Sequence, residues 1–167
     1  MRSEHPEKLD EGEQRLIEKL YPSLRRFASA VRLPGEDGND LVQEAFLRTI
    51  RSKDSILALD NPGAYLRRVI LNLVRDRQRS EARRRTAWSK MGPPSREVSH
   101  YSWELEELRS VSPKSRAVLY LRIIEGWPYA DIGKMLGCSQ VSARVAASRG
   151  KQQLEAVLSE EVRDATA

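Results

Sequence analysis

The chain has 167 residues, of which 32% are charged and 40% hydrophobic, and it carries a net charge of +5. This length allows one globular domain or two small ones. No apolar run approaches the ~20 residues that a membrane span needs, and the first residues, MRSEHPEKLDEGEQ, lack the apolar stretch of a signal peptide. We therefore expect a cytoplasmic protein without a membrane span.

The cysteine and histidine residues argue against a metal site. Cys138 is the single cysteine, so no internal disulfide bond can form. It lies far in sequence from His5 and His100, and these positions match no zinc-binding spacing. We expect neither a metal nor another cofactor.

The first half of the chain has the periodicity of three helices. In the first helix the apolar positions are Leu16, Leu20, Leu24, Phe27 and Val31. Pro22 lies inside this pattern and is expected to kink or split the helix. A second helix is predicted over residues 37–51, and its apolar stripe is Leu41, Val42, Ala45, Phe46 and Ile50.

A third helix is predicted over residues 62–85, with Asn61 as its N-cap and Pro62 at its first position. Its buried stripe is Leu66, Val69, Ile70, Leu73 and Val74, a pattern that does not explain Leu71. Arginines crowd this segment, namely Arg67, Arg68, Arg75, Arg77, Arg79, Arg83, Arg84 and Arg85. Arginine suits contacts to phosphates or bases, although a solvated helix face would explain the run equally well.

The next segment, 86–102, lacks periodicity and contains Gly92, Pro93 and Pro94. We interpret it as a flexible linker between two small helical domains, 11–85 and 103–158, in an all-α protein. The second domain is predicted to open with a short acidic helix from Trp103 to Arg109. A helix capped by Ser112 then passes through Val118, Leu121 and Ile124 and ends at Gly126, and another runs from Pro128 to Gly137.

The stretch DIGKMLGCSQVSARVAASRG, residues 131–150, is typical of a helix-turn-helix. Gly137 can end the first helix in the left-handed conformation, and Ser139 can cap the second. Small residues recur on one face of the second helix, at Ala143, Ala147, Gly150 and Leu154. The remaining face would carry Gln140, Val141, Arg144, Val145 and Ser148 into a DNA major groove.

Two alternatives remain open for this stretch. It could be an ordinary helical hairpin whose polar groups face water. Val141 and Val145 could also be core residues, which would rotate the helix and weaken the assignment of base contacts. Cys138 is interpreted as a small residue that packs in the turn rather than as a redox sensor.

The segments DGNDLVQEAFLRTI and LGCSQVSARVAASRGKQQL together resemble bacterial sigma factors of the sigma-70 family, extracytoplasmic-function subfamily, from about Gln14 to Leu158. DLVQEAFL is similar to the family's region 2.2, which binds core RNA polymerase. The residues that the resemblance implies for this contact are Asp40, Leu41, Gln43, Glu44, Leu47 and Arg48. Of these six residues, Asp40, Gln43 and Glu44 are expected to face outward.

AYLRRVILNLVRDRQRS, residues 64–80, resembles regions 2.3 and 2.4, which recognise and melt the minus-ten promoter element. The implied residues are Asp60, Asn61, Tyr65, Arg68, Asn72, Arg75, Asp76 and Arg79. Tyr65 stands where the family often has tryptophan, and a core aromatic would explain it equally well. SPKSRAVLYLRIIEGWPYADIGKMLG, residues 112–137, resembles the start of region 4, and the helix after it the reader of the minus-thirty-five element.

For that reader the implied residues are Ser139, Gln140, Val141, Ser142, Arg144, Val145, Ser148 and Arg149. The family commonly has a hydroxyl-bearing and a basic residue at the positions of Val145 and Ala146. This chain therefore lacks the phosphate contacts that those two residues would make. The resemblance implies core RNA polymerase and promoter DNA, double-stranded and melted, as partners, with an anti-sigma factor as a possible further partner.

These sequence features favour one of three candidate functions. The leading hypothesis is a promoter-specificity subunit that melts DNA through binding energy, without nucleotide hydrolysis. A transcriptional regulator that uses only the helix-turn-helix would predict dimers and palindromic sites, and the DLVQE segment argues against it. A nucleic-acid enzyme lacks support because the sequence contains no phosphate-cradling glycine loop and no nucleophile constellation.

Overall fold

The computed structural model of the protein describes residues 10–52, 55–89 and 110–166. Within these ranges the chain is helical and contains no β-strand, which confirms the all-α fold. The helices are α1 (Glu11–Val31), α2 (Gly38–Ser52), α3 (Pro62–Ser89), α4 (Pro113–Leu119), α5 (Tyr129–Leu136) and α6 (Gln140–Thr166). A short 3-10 helix, Ile56–Ala58, precedes α3, and a π-helical turn, Tyr120–Ile124, follows α4. No helix of the described ranges has the length and apolar character to cross a membrane.

The first three helices enclose a core built from the predicted apolar stripes. Its fully buried members include Leu24, Phe27, Val31, Leu41, Val42, Leu66, Ile70, Leu73 and Val74. Helix α1 passes through Pro22 as one helix, so of the two expected outcomes, a kink or a split, the split is wrong. The hydroxyl of Ser23 donates to the carbonyl oxygen of Leu20 at 2.9 Å beside the proline. Burial of the following turns outweighs the single backbone hydrogen bond that proline removes.

The burial pattern of this core differs in places from the predicted one, and Val69 of the predicted stripe is only half-buried. Ile50 is 38% exposed, and Thr49 is fully buried in its place. Thr49 tolerates burial because its hydroxyl donates to the carbonyl oxygen of Ala45 at 2.8 Å. Leu71 is only 2% exposed. It lies one helical turn after Arg67, on the side of α3 that is turned toward the second half of the chain.

The predicted helix starts are confirmed by their hydrogen bonds. The side chain of Asn61 accepts from the backbone N–H of Ala64 at 2.9 Å, and α3 begins at Pro62. Ser112 accepts from the backbone N–H of Ser115 at 3.1 Å, and α4 begins at Pro113. The end of α3 is at Ser89, four residues beyond the predicted end at 85. The predicted acidic helix at 103–109, and the linker after Ser89, lie outside the described residues.

The second half packs α6 across α4 and α5. Val118 and Leu121 are fully buried, as their periodicity predicts, but Ile124 is 66% exposed. The π-helical turn explains the difference, since its i to i+5 hydrogen bond from Glu125 N–H to Tyr120 oxygen shifts the phase of the helix face. The two halves also pack against each other, because α4 contacts α1 and α3, and α5 contacts α3.

Candidate nucleic-acid and polymerase interfaces

The turn between α5 and α6 has the predicted geometry. Gly137 ends α5 in the left-handed conformation, with φ of +67°. The hydroxyl of Ser139 accepts from the backbone N–H of Ser142 at 3.1 Å and caps α6. The interpretation of Cys138 as a turn-packing residue agrees with its place, half-buried against the hydrophobic core.

Gly133 is a feature of this turn that the sequence reasoning missed. A Cβ atom added to Gly133 would lie 2.7 Å from the backbone oxygen of Cys138. The backbone N–H of Cys138 also donates to the Gly133 oxygen at 2.9 Å. Close passage of one backbone over another therefore requires glycine here. The signal in the sequence is a second glycine, one helical turn before Gly137.

Helix α6 buries its small residues and exposes the predicted reading face. Ala143 is fully buried and Ala147 is 6% exposed. The exposed residues include all eight of those predicted for the minus-thirty-five element: Ser139, Gln140, Val141, Ser142, Arg144, Val145, Ser148 and Arg149. Val141 is 68% and Val145 42% exposed, so the alternative that these valines are core residues is wrong. The guanidinium of Arg144 lies over the Tyr129 ring at 5.6 Å.

The loop that precedes α3 is held in place by α1. A carboxylate oxygen of Glu13 accepts from the Ser55 hydroxyl at 2.7 Å and from the backbone N–H of Ile56 at 3.0 Å. These hydrogen bonds lower the pKa of Glu13, the one to Ser55 contributing most. Ile56 itself is 1% exposed and anchors the loop in the core. Glu13 was missed from the sequence, since nothing local connects it to a loop some 40 residues away.

The residues predicted for the minus-ten element lie along this loop and α3. Six of them are exposed, namely Asp60, Asn61, Arg68, Asn72, Asp76 and Arg79, whereas Tyr65 and Arg75 are half-buried. Four of the set line one open cleft of about 730 Å³ together with residues of the second half: Asp60, Asn61, Tyr65 and Arg68. Tyr65 and Asn72 also line a groove beside the end of α2. Asp76 pairs with Arg79 at 3.8 Å farther along α3.

The predicted polymerase face of α2 is only partly exposed. Asp40, Gln43 and Arg48 are exposed, and Leu47 is 52% exposed. Leu41 is fully buried, so its assignment as a direct polymerase contact is corrected: it packs α2 onto the core.

The expectation that Glu44 faces outward is also corrected. Glu44 accepts hydrogen bonds from Arg48, at 2.9 Å, and from Arg77 of α3, and its side chain is 34% exposed. Partial burial opposes the charge on Arg77, but the hydrogen bonds and charges of Glu36 and Glu44 raise its pKa overall. Glu44 therefore joins α2 to α3.

Within the described ranges, no group of three or more histidine, cysteine, aspartate or glutamate side chains lies close enough together to hold a metal ion.

Comparison with known proteins decides which family these surfaces belong to. Residues 16–84 match the family model for sigma-70 region 2, and residues 104–154 match that for sigma-70 region 4. The chain belongs to the sigma-70 family of RNA polymerase sigma factors. This sigma factor is 28% identical to RNA polymerase sigma factor CarQ of Myxococcus xanthus, over 92% of this chain and 95% of CarQ.

Further relatives extend the likeness. ECF RNA polymerase sigma factor EcfG of Rhodopseudomonas palustris is 29% identical, over 82% of this chain and 80% of EcfG. The fold is similar to that of sigma factor RpoE from Bartonella quintana, solved in complex with the anti-sigma factor NepR. That match has a TM-score of 0.67 and 22% identity, and covers 87% of this chain and 96% of RpoE.

Membership of the family confirms that the protein is a promoter-specificity subunit, whereas melting through binding energy without nucleotide hydrolysis stays a prediction. The protein is a sigma factor of the extracytoplasmic-function type, a transcription initiation factor that binds core RNA polymerase and directs it to promoters. The alternative of a regulator using only its helix-turn-helix is disfavoured because a sigma-70 model matches each half of the chain.

Proposed function

We propose that the three surfaces described above divide the work of this sigma factor between them. The exposed face of α6 reads the minus-thirty-five element, and the loop before α3, with α3 itself, captures the minus-ten element. The exposed side of α2 binds core polymerase. We place the domain boundaries at 11–85 and 103–158, with 86–102 between them. Two helices run beyond these bounds, α3 to Ser89 and α6 to Thr166.

The observation that carries the assignment of α6 is the segregation of its two faces. Ala143 and Ala147 are buried against α4 and α5, while Gln140 and Arg144 are exposed near the N-terminal end of the helix. A helix docks in the major groove with such residues foremost. Glutamine can pair with adenine and arginine with guanine, and the methyl groups of Val141 and Val145 can contact thymine.

The assignment of the minus-ten element is supported by the cleft beside α3. An unstacked base needs a pocket with hydrogen-bonding groups and an aromatic or planar surface on which to stack. Asp60 and Asn61 supply the polar groups, Tyr65 the ring and Arg68 a guanidinium, and these four lie on the first-half wall of one cleft, whose other wall belongs to the second half. Asn72, Asp76 and Arg79 continue along α3, where Arg79 can neutralise a phosphate.

The polymerase contact of α2 is proposed for its exposed residues, which are Asp40, Gln43, Leu47 and Arg48. Gln43→Ala should weaken binding to core polymerase and change the free energy of unfolding by less than ~0.5 kcal/mol, as exposed substitutions usually do. Glu44→Ala is the matched variant. It should also destabilise the fold, because it removes an acceptor of Arg77 and Arg48.

We further propose that the protein acts in the cytoplasm, where core RNA polymerase is found, and that an anti-sigma factor regulates it. The structure of RpoE bound to NepR supports the second point, since that protein has a similar fold.

The test combines purified protein with bacterial core RNA polymerase. The two should co-elute in gel filtration, and the holoenzyme should start transcription from a few members of a library randomised at both promoter elements. Binding of the free protein to palindromic duplexes as a dimer, without any binding to core polymerase, would favour the regulator.

A further inference from the structure

Arg77 of α3 lies on the packed side of its helix rather than on the side proposed for DNA. It follows the buried residues Leu73 and Val74 by four and three positions, so it continues their stripe by one turn. The side chain of Arg77 is 37% exposed, against 62% for Arg79, which is proposed for the minus-ten element. Arg77 therefore belongs to the basic segment of α3, but its position does not suit a phosphate contact.

The guanidinium of Arg77 donates to two carboxylates. Nη1 donates to Glu36 Oε1 at 2.8 Å, and Nη2 donates to Glu44 Oε2. Glu36 is itself fixed, because its other oxygen accepts from the backbone N–H of Leu33 at 2.7 Å and its side chain is only 12% exposed. The planar fork of arginine suits two such acceptors at once. Arg77 is therefore anchored on the segment between α1 and α2, and from there it holds Glu44.

The second oxygen of Glu44 points to the proposed polymerase face. Glu44 Oε1 accepts from Arg48 Nη2 at 2.9 Å, one helical turn along α2. The Arg48 side chain is 52% exposed and belongs to the face proposed for core polymerase. An exposed pair of this kind alone orders a long side chain only weakly. Here Arg77 fixes Glu44 from the inner side, so the four groups form one ion-pair network without net charge: Glu36, Arg77, Glu44 and Arg48.

We propose that Arg77 is a positioning residue for polymerase binding: through Glu44 it holds the guanidinium of Arg48 in place on the exposed side of α2. The inference rests on the proposed function of α2 and adds the residue that prepares its contact. A side chain with many rotamers loses conformational entropy when a partner immobilises it, and this cost is smaller where the side chain is already ordered. Loss of Arg77 therefore weakens polymerase binding, although Arg77 belongs to the promoter-binding helix.

A double-mutant cycle on the full chain separates this role from a direct contact. Affinity for purified bacterial core RNA polymerase is measured for Arg77→Met with and without Arg48→Ala. Glu44→Gln interrupts the ion-pair network at another link and nearly preserves the side-chain shape, so the test survives if Arg77→Met fails to fold. Arg84→Met is the matched control, because it removes an exposed arginine of the same helix.

The single variants should bind polymerase more weakly than the parent. Arg77→Met and Glu44→Gln should each reduce the affinity by about threefold to tenfold, the cost of ordering one long side chain. In the Arg48→Ala background either change should alter the affinity by less than about twofold, because the side chain that they position is gone. Arg84→Met should stay within about twofold of its parent in both backgrounds.

Promoter binding by the holoenzyme supplies a second readout. The slope of log affinity against log salt concentration should be the same for Arg77→Met as for the parent, since no phosphate contact is lost. A slope reduced by about 0.9 would make Arg77 a phosphate contact and overturn the proposal.

Three results of the polymerase measurement would also overturn it. An equal loss of affinity with and without Arg48 would mean that Arg77 contacts polymerase directly or supports only the fold. The other two are an affinity of Arg77→Met equal to that of the parent, and a similar loss from Arg84→Met.

Failure of the proposed function would give a different result. Arg48→Ala and Gln43→Ala would then both leave the affinity for core polymerase unchanged. That outcome removes the polymerase face of α2, and the role of Arg77 with it. Weakened binding in Arg48→Ala without any effect of Arg77→Met removes only the role of Arg77.

Discussion

The two DNA-reading elements of this sigma factor are built in different ways. The N-terminal end of α6 is shaped by residues within a few positions of it, through the left-handed Gly137 and the cap from Ser139. The loop before α3 is instead held by Glu13, which contacts Ser55 and Ile56 from another helix. A locally determined element keeps its shape without help from distant segments, whereas the loop depends on the core of the first half.

The largest effect should come from breaking the local turn itself. Gly133→Ala would force a Cβ atom to within 2.7 Å of the Cys138 oxygen, and this backbone cannot move aside as a side chain can. We expect a cost of about 3 kcal/mol from overpacking, offset by ~1 kcal/mol of helix propensity. Unfolding in denaturant measures the net loss of about 2 kcal/mol. Lys134→Ala, exposed on the same helix, should change stability by less than ~0.5 kcal/mol.

Loss of minus-thirty-five recognition should accompany that instability, while single-strand capture by the first half should persist. If Gly133→Ala is as stable as the parent, the turn is not the rigid element that the comparison requires.

The next largest effect tests which residues of α6 contact bases. Arg144→Ala should leave stability nearly unchanged, because the side chain is exposed and its guanidinium lies over the Tyr129 ring at 5.6 Å, without an ion pair to lose among the described residues. Holoenzyme affinity for a matched promoter should fall by roughly 1–3 kcal/mol, with relaxed preference at one base pair, if Arg144 pairs with guanine. Competition binding with promoter variants measures both quantities. An equal loss on all sequences would make Arg144 a phosphate contact.

A smaller effect tests the loop that depends on distant contacts. Glu13→Gln keeps an acceptor oxygen but loses the charge, and should cost about 1 kcal/mol of stability at pH 7. Because the pKa of Glu13 is lowered in the folded protein, its contribution is present above the unfolded value of about 4.5. It disappears as the pH falls from there through the lowered pKa. Urea unfolding at pH 7 and pH 3 should therefore show a difference between parent and variant that shrinks in acid.

Glu11→Ala is the control for that measurement, since Glu11 pairs with Arg15 on the surface at 3.6 Å. A difference from Glu13→Gln that is constant with pH would mean that the charge of Glu13 does not hold the loop.

The smallest effect concerns a phosphate contact. Arg149 is exposed five residues beyond Arg144. It belongs to the residues predicted for the minus-thirty-five element but not to the face expected in the major groove. Arg149→Ala should weaken binding to all promoter sequences alike and reduce the slope of log affinity against log salt concentration by about 0.9. Holoenzyme binding at several salt concentrations measures the slope. A loss of affinity confined to one base pair would mean that Arg149 contacts a base, the role proposed for Arg144.

The difference between locally determined elements and elements held by distant contacts also explains which features the sequence could predict. Helix caps at Asn61, Ser112 and Ser139 and the end of α5 at Gly137 depend on neighbouring residues, and all were predicted correctly. The exposure of Thr49 and Ile50 was reversed, because a hydroxyl bonded to its own helix can be buried where periodicity favours isoleucine.

Contacts between distant segments were not predictable from local patterns. Leu71 is buried on the side of α3 turned to the second half, and Glu44 is engaged by an arginine of another helix. Arg67 and Arg116 belong to an arginine-rich chain in which nothing local separates a buried cation from a solvated one. Only the packing of the two halves distinguishes them.

The central claim is that each half of this sigma factor reads its own promoter element, and one experiment tests it directly. Holoenzymes carrying Asp60→Ala or Arg144→Ala are compared with the parent on promoters with single base changes at either element. The account predicts that Asp60→Ala relaxes preference only at the minus-ten element and Arg144→Ala only at the minus-thirty-five element. Relaxed preference at the opposite element in either holoenzyme would contradict it.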